Sequence, residues 1–246
     1  VAELGLPIVL KTVTGGYDGK GQFVLRSEDQ IDTAWTELGP AKSLIAESFV
    51  KFSREVSIIA VRGQDGDVKT WALAENHHHN GILSHSIVPA PNSTDLQPVA
   101  QDYITRLLNH LNYVGVLTLE LFVTEQGLYA NEMACRVHNS GHWSIEGAIC
   151  SQFENHIRAV AGLPLGATDV VRPTVMINII GQHPKSEDVL ALKGAHLHLY
   201  NKSERAGRKL GHITLMPNNS DELTVLCRQL AQILPVPLAL TADMNL

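Results

Sequence analysis

The sequence predicts an α+β fold with antiparallel-rich sheets and a small β-rich domain at the C-terminal end. Three observations lead there. Short apolar runs of strand length recur along the chain, separated by Gly, Asn and Asp turns. Gly115 to Thr124 and Leu128 to Ala134 form a strong hairpin candidate around Glu125-Gln-Gly127. Gly162 to Pro173, rich in Gly and Pro, reads as a linker, which sets one domain at 1–163 and a second at 174–246.

The elements follow in order. Leu6 to Leu10 is a strand that delivers Lys11, and Gln22 to Leu25 is the next. Between them lie four glycines within seven residues, broken only by Tyr17, Asp18 and Lys20. Ser27 to Leu38 is a helix, with Ser27 as its cap. Ser43 to Val50 and Glu55 to Arg62 are strands, Gln64 to Asp67 is a turn, and Val68 to Ala74 returns. His77-His78-His79 falls in a loop before a β region from Gly81 to Val88. Asp95 to Leu111 carries Val99, Ile104, Leu107, Leu108 and Leu111 at helical spacing. After the hairpin, Ile149 to Val160 is a helix. Thr174 to Ile180, His196 to Tyr200 and His212 to Leu215 are strands, Asn201 to Lys209 is a basic loop, and Asp221 to Leu234 is a helix.

Composition narrows the function classes. The chain has 246 residues, 44% apolar and 18% charged, with a net charge of −6. That balance points away from nucleic acid or an anionic membrane as partner. No apolar run approaches a membrane span. Cys135, Cys150 and Cys227 are far apart and lack metal-site spacing, which suggests a reduced, cytoplasmic setting. The chain opens at Val1 and reaches a strand within a few residues, so a fragment or a processed product is expected.

Six constellations are candidates for chemistry. A glycine-rich loop between two strands, flanked by Lys11 and Lys20, suits a lid over nucleotide phosphates; an ordinary glycine hairpin is the other reading. It is no Walker A loop, because Lys20 precedes Gly21 and a strand follows. In the hairpin, a three-residue loop pairs Thr124 with Leu128, Phe122 with Ala130 and Glu120 with Glu132. Directly opposed carboxylates repel, and a divalent cation such as Mg²⁺ removes that penalty; two solvated glutamates are the alternative. Continuing the period of two past Glu132 puts Ala134, Arg136 and His138 on the same face, with Asn139, Ser140 and His142 adding donors. Glu47 and Glu55, at strand ends, can accept from ribose hydroxyls or lie solvated. Three consecutive histidines cannot all point at one ion; a single loop histidine bonding a ligand and a solvated loop are the two readings. Lys202 to Lys209 sets four cations around Gly207, a phosphate cradle or a solvated turn.

Together these segments resemble the carboxyaminoimidazole ribonucleotide synthetases, ATP-grasp enzymes of purine biosynthesis. The resemblance rests on Gly15-Gly-Tyr-Asp-Gly-Lys-Gly-Gln22, on Glu55-Val-Ser, on Asn131-Glu132 with Arg136-Val-His-Asn-Ser-Gly-His-Trp143, and on Arg205 with Gly207-Arg-Lys-Leu-Gly-His212. It implies an ATP-grasp domain, N-terminally incomplete, and a small substrate-binding domain. It implies ATP- and bicarbonate-dependent carboxylation of aminoimidazole ribonucleotide through carboxyphosphate. Lys11 and Gly16, Tyr17, Asp18, Gly19, Lys20, Gly21 and Gln22 would hold ATP phosphates. Glu47, Ser48, Phe49 and Val50, with Glu55 and His78, would flank adenine and ribose. Glu120 and Glu132 would hold Mg²⁺ beside Asn131. Arg136, His138 and Asn139 would face bicarbonate and the imidazole, and Lys202, Arg205 and Arg208 the ribonucleotide phosphate. A homodimer is also implied. Cys135, Ala206 and Val13 depart from the family pattern. A non-catalytic nucleotide-binding fragment and another ATP-grasp ligase are the rival readings.

Overall fold

A computed structural model describes residues 1–14, 21–39 and 43–235. Gly16, Tyr17, Asp18, Gly19 and Lys20 of the glycine-rich segment lie outside the described residues. Two compact units emerge: Val1–Phe52 with the turn His79–Ile82, and the rest.

The first unit holds a three-stranded antiparallel sheet in the order β2-β1-β3. Its strands are β1 (Ile8–Thr12), β2 (Gln22–Leu25) and β3 (Leu44–Ser48). Helix α1 (Ile31–Leu38) follows a 3₁₀ turn at Glu28–Gln30. The Ser27 side chain caps no amide; the Gln30 Oε1 accepts the Arg26 N–H at 2.9 Å instead. Ile8, Leu25 and Ala34 close a small core.

The second unit is organised by a nine-stranded sheet. Its strands are β4 (Arg54–Arg62), β5 (Val68–Thr70), β6 (Ala74–His79), β7 (Ile82–Val88), β8 (Gly115–Thr124), β9 (Gly127–Ala134), β10 (Thr174–Ile180), β11 (Ala195–Leu199) and β12 (Lys209–Leu215). The order is β11-β12-β10-β7-β6-β4-β8-β9, with β5 on β4. Because β10 pairs with β7, the ladder continues across the Gly162–Pro173 stretch. Alternation along β4 sorts its side chains. Val56, Ile58 and Ala60 pack with Leu117, Leu119 and Leu121 under Ala100, Ile104 and Leu108 of α2 (Leu96–His110). Ile59 and Val61 face the other way, onto Trp71, Trp143 and Ala159, the last from α4 (Gln152–Val160). A third cluster joins Val175, Ile177, Ile213 and Leu215 to Val189 of α5 (Ser186–Leu190) and to Leu223, Leu226 and Leu230 of α6 (Ser220–Ile233). A four-residue helix, α3, spans Ser144–Gly147.

Three expectations change, and one element was not foreseen. Val68 to Ala74 is not one strand: the chain leaves the ladder at Trp71, whose indole N–H donates to the Cys150 carbonyl at 3.0 Å. The Gln97 amide serves the loosened backbone, accepting the Leu73 N–H and donating to the Trp71 carbonyl. As a result His77, His78 and His79 lie on β6, not in a loop. The β8–β9 turn is two residues, Glu125-Gln126, closed by the Thr124 hydroxyl, which accepts from Gln126 N–H and donates to the Gly127 carbonyl. Finally, α5 was not legible: five residues after Pro184 are too few to show a period.

Candidate functional site

The site grows from one sheet face. On adjacent strands, Ser57 of β4 pairs with Glu120 of β8, and Glu120 with Glu132 of β9. Paired residues share a face, so these three form a row. The shorter turn would have spoiled that row, since it pairs Thr124 with Gly127 and Phe122 with Tyr129, not with Leu128 and Ala130. A bulge restores it. Leu121 pairs with Ala130 but Glu120 with Glu132, leaving Asn131 as the extra residue.

Two residues along β4, the Glu55 carboxylate lies 3.1 Å from His78 Nδ1 of β6. Ligand atoms of Glu55, His78 and Glu120 all fall within 4.8 Å of one another. Alternation explains why His78 arrives and His77 does not: His77 turns to the opposite face, 3.1 Å from Glu75 and stacked on His85. Burial works against a charge on His78, yet the Glu55 hydrogen bond and the charges of Glu55, Glu120 and Glu132 raise its pKa overall. Burial would likewise lift Glu120, but the hydrogen bond and charge of His138, with His78 and Arg136, hold it below the usual carboxylate range. Glu120 is therefore ionised at neutral pH.

His138 Nε2 lies 3.0 Å from Glu120 Oε1. It does not get there as a strand residue, because β9 ends at Ala134 and a bend follows. His138 instead caps a 3₁₀ turn at Asn139–Gly141, with its ring accepting from Ser140 N–H. Gln152 at the start of α4 clamps its backbone, accepting from His138 N–H at 2.9 Å and donating to its carbonyl at 2.7 Å. Arg136, expected on the same face, is exposed and donates to the neighbouring Val137 carbonyl at 3.0 Å.

Asn139 Oδ1 accepts from Lys209 Nζ at the head of β12. Beyond it stands a cluster of rings from β11, β12 and the His142 turn. His198 stacks on His212 at 4.4 Å, and His142 lies 5.1 Å from His212. Tyr200 hydroxyl meets His212 Nδ1 at 2.6 Å, and His198 Nε2 meets the Glu146 carboxylate at 2.6 Å. Burial, then the charges of Lys209 and neighbouring histidines, pushes the His142 pKa down to about 2. Burial, with His198 and Lys209, pushes His212 down to about 3. Glu146 Oε2 and His212 Nε2 are buried with no hydrogen-bond partner. Lys202 and Lys209 Nζ lie 5.6 and 5.4 Å from the Tyr200 ring centroid. Arg205 is exposed, and Arg208 donates to Ser203 Oγ at 2.9 Å.

In the first unit, Lys11 and Glu47 pair with each other, Nζ to Oε2 at 2.7 Å. Ser48 ends β3, and Val50 lies two residues on. Phe49 is half exposed, with the Arg26 guanidinium 5.8 Å above its ring. Gly21 has φ +76 and its carbonyl accepts from Thr12 N–H, while Gln22 opens β2 exposed.

Sequence reasoning missed Asn76, Ser86 and Gln152, which support Glu120 and His138 from behind, and it set Lys209 in the phosphate cradle, whereas its amine donates to Asn139. Their signal is weak, because a buried polar residue on a strand or at a helix start looks like an exposed one in a single sequence.

Comparison with known proteins places the chain among relatives along most of its length. The family described as ATP-grasp domain matches residues 1–153. The phosphoribosylaminoimidazole carboxylase C-terminal domain matches residues 174–225. An N5-carboxyaminoimidazole ribonucleotide synthase from Vibrio vulnificus is 49% identical over 240 residues, covering 95% of this chain and 63% of the relative. One from Bacillus subtilis is 50% identical over 226 residues, covering 90% and 59%. The chain thus spans about three fifths of these curated relatives. The crystal structure of N5-carboxyaminoimidazole ribonucleotide synthetase from Thermus thermophilus superposes with a TM-score of 0.88 at 47% identity, covering 96% of this chain and 64% of that one. The Aspergillus clavatus synthase in complex with ADP and 5-aminoimidazole ribonucleotide has a TM-score of 0.84 at 31% identity, covering 94% and 64%.

Proposed function

The chain belongs to the ATP-grasp family, and from that premise we propose that it is the larger part of an ATP- and bicarbonate-dependent carboxylase of 5-aminoimidazole ribonucleotide. One observation carries the reading beyond likeness: Glu55, His78, Glu120, Glu132 and His138 converge on a single sheet face from four strands and one turn. Phosphoryl transfer asks for such a site, because its catalysis is positioning and charge neutralisation.

The residues fit Mg²⁺. Glu120 and Glu132 are opposed oxygen donors, and Glu120 is held ionised, which suits a hard cation. Glu55, hydrogen-bonded to His78, is left to accept from ribose hydroxyls. When bound, the metal would neutralise charge on the transferring phosphoryl group. The chain's own residues do the rest. His138 presents an N–H toward the reacting carboxyl group, and Asn139, fixed by Lys209, orients the imidazole. Arg136, on an exposed bend, offers a fork to bicarbonate. Lys202, Arg205 and Arg208 offer an exposed cationic loop to the ribonucleotide phosphate. Lys11 and the Gly16–Gln22 segment serve the ATP phosphates, and Glu47 to Val50 the adenine and ribose. In balance, a bicarbonate oxygen takes the γ-phosphoryl group and ADP leaves. The amine then attacks the carboxyphosphate carbon, its C–O bond breaks, phosphate departs and the amine loses a proton.

Oxygen-18 tests that sequence of bonds. Labelled bicarbonate should place label in the released phosphate; unlabelled phosphate would rule out carboxyphosphate. A domain boundary near residues 163–174, supported by the Gly- and Pro-rich stretch and the C-terminal family match at 174–225, a cytoplasmic location, supported by the cysteine pattern, and a homodimer, supported by the resemblance, belong to the same proposal. No helix among the described residues is long and apolar enough to cross a membrane.

A further inference from the structure

A line of buried polar side chains runs from the core to Glu120. Ser86 hydroxyl donates to Asn76 Oδ1 at 2.8 Å. Asn76 Nδ2 donates to Ser57 Oγ at 2.9 Å, and Ser57 donates to Ser140 Oγ at 2.8 Å. Ser140 Oγ lies 2.8 Å from His138 Nδ1, and His138 Nε2 reaches Glu120. Ser57, Ser86 and Ser140 are fully buried and Asn76 is 6% exposed. Four such residues in one core are costly unless each is satisfied.

The direction of the line is fixed at one end. Ser140 N–H, which can only donate, points at His138 Nδ1 at 3.3 Å. Nδ1 is therefore an acceptor, and the single Ser140 hydroxyl proton goes to it as well. Ser140 Oγ must then accept from Ser57, Ser57 from Asn76, and the Asn76 carbonyl from Ser86. Turning the Ser140 proton toward Ser57 would set two lone pairs, Ser140 Oγ and His138 Nδ1, face to face at 2.8 Å, and turning the Ser57 proton toward Asn76 Nδ2 would set two donors together.

We infer that this relay locks His138 in the Nε2–H tautomer, making it a fixed donor toward Glu120 and the reacting carboxyl group rather than a base or a metal ligand through Nε2. Ser57, Asn76, Ser86 and Ser140 are positioning residues that act through His138. The second half of the inference, the donor's use on the carboxyl group, rests on the proposed function.

The test reads the tautomer directly, at constant neutral pH, with no metal or substrate. Long-range ¹H–¹⁵N spectra of the labelled chain, with His138→Gln to assign the resonances, should show a proton-free Nδ1 and a proton-bearing Nε2. Ser57→Ala and Ser140→Ala should each shift the two nitrogens toward one another as the tautomers mix. A proton on Nδ1 in the unmodified chain overturns the lock. So do unchanged shifts in both variants, with circular dichroism confirming their fold. In a chain extended to the length of its relatives, Ser57→Ala should lower kcat about tenfold and leave KM for ATP unchanged; an unchanged kcat overturns the use of the donor. Absence of bicarbonate-dependent turnover in the unmodified extended chain would sink the carboxylase reading instead, and the spectra would still decide the lock.

Discussion

Glu120 and Glu132 stand opposite each other across β8 and β9, and the bulge at Asn131 puts them there. Like charges so placed destabilise a sheet unless something answers them. Around Glu120 the answer is already partly built, from His138 and His78. Glu120→Gln should therefore leave the fold intact and remove the charge proposed to hold Mg²⁺. In a chain of full family length, kcat should fall by about two to three orders of magnitude, as for loss of one group aimed at transition-state charge. Steady-state rates at saturating Mg²⁺ check it; less than a threefold drop would contradict the metal role.

Gly141→Ala tests the support of His138. A Cβ there would meet Ile59 Cδ1 at 2.4 Å and Gln152 Oε1 at 2.6 Å. Gln152 is the residue that grips the His138 backbone on both sides. Overpacking of this kind costs about 1–3 kcal/mol. The melting temperature should drop by several degrees, and kcat should fall with it. A variant with both values unchanged would show that the Gln152 clamp is dispensable.

Stability should fall on mild acidification. His85 is pushed down to about 3 by burial and then by the neighbouring His77 charge; His142 and His212 lie at about 2 and 3. In the unfolded chain all three titrate near the ordinary 6.5. Between that value and about 3 the unfolded state binds more protons, so stability is complete above 6.5 and is lost as pH falls below it. Each histidine contributes a slope of up to about 1.4 kcal/mol per pH unit. Urea unfolding followed by the buried Trp71 and Trp143 should show the loss between pH 7 and 5, and His85→Gln should flatten it. A midpoint independent of pH across that range would refute the assignment.

Arg205→Ala should raise KM for the ribonucleotide about ten- to a hundredfold, the value of a lost charge-assisted hydrogen bond. KM for ATP should hold. Equal weakening of both would place the cationic loop at the nucleotide instead.

β4 and β8 were legible as strands because both are long and largely apolar, but that Glu55 and Glu120 share a face follows only from the register that pairs Ser57 with Glu120. The Glu120–Glu132 pairing also came out, but through two compensating features that a period of two cannot see: a turn one residue shorter than expected and a bulge at Asn131. His78 was singled out for ligand contact while its strand was read as loop, because the break at Trp71 depends on Gln97, a partner 26 residues away. His138 was placed on the right face by extending β9, although the chain reaches that position through a bend and a 3₁₀ turn. The relay behind it was invisible, since Ser57, Asn76, Ser86 and Ser140 gain meaning only once the strands are ordered.

The most direct measurement is phosphate release from ATP in a chain extended to the length of its relatives, with bicarbonate and aminoimidazole ribonucleotide supplied singly and together. The account predicts release that needs both, falls by orders of magnitude with Glu120→Gln, and is matched by carboxylated ribonucleotide. Release that ignores bicarbonate, or none under any combination, would contradict it.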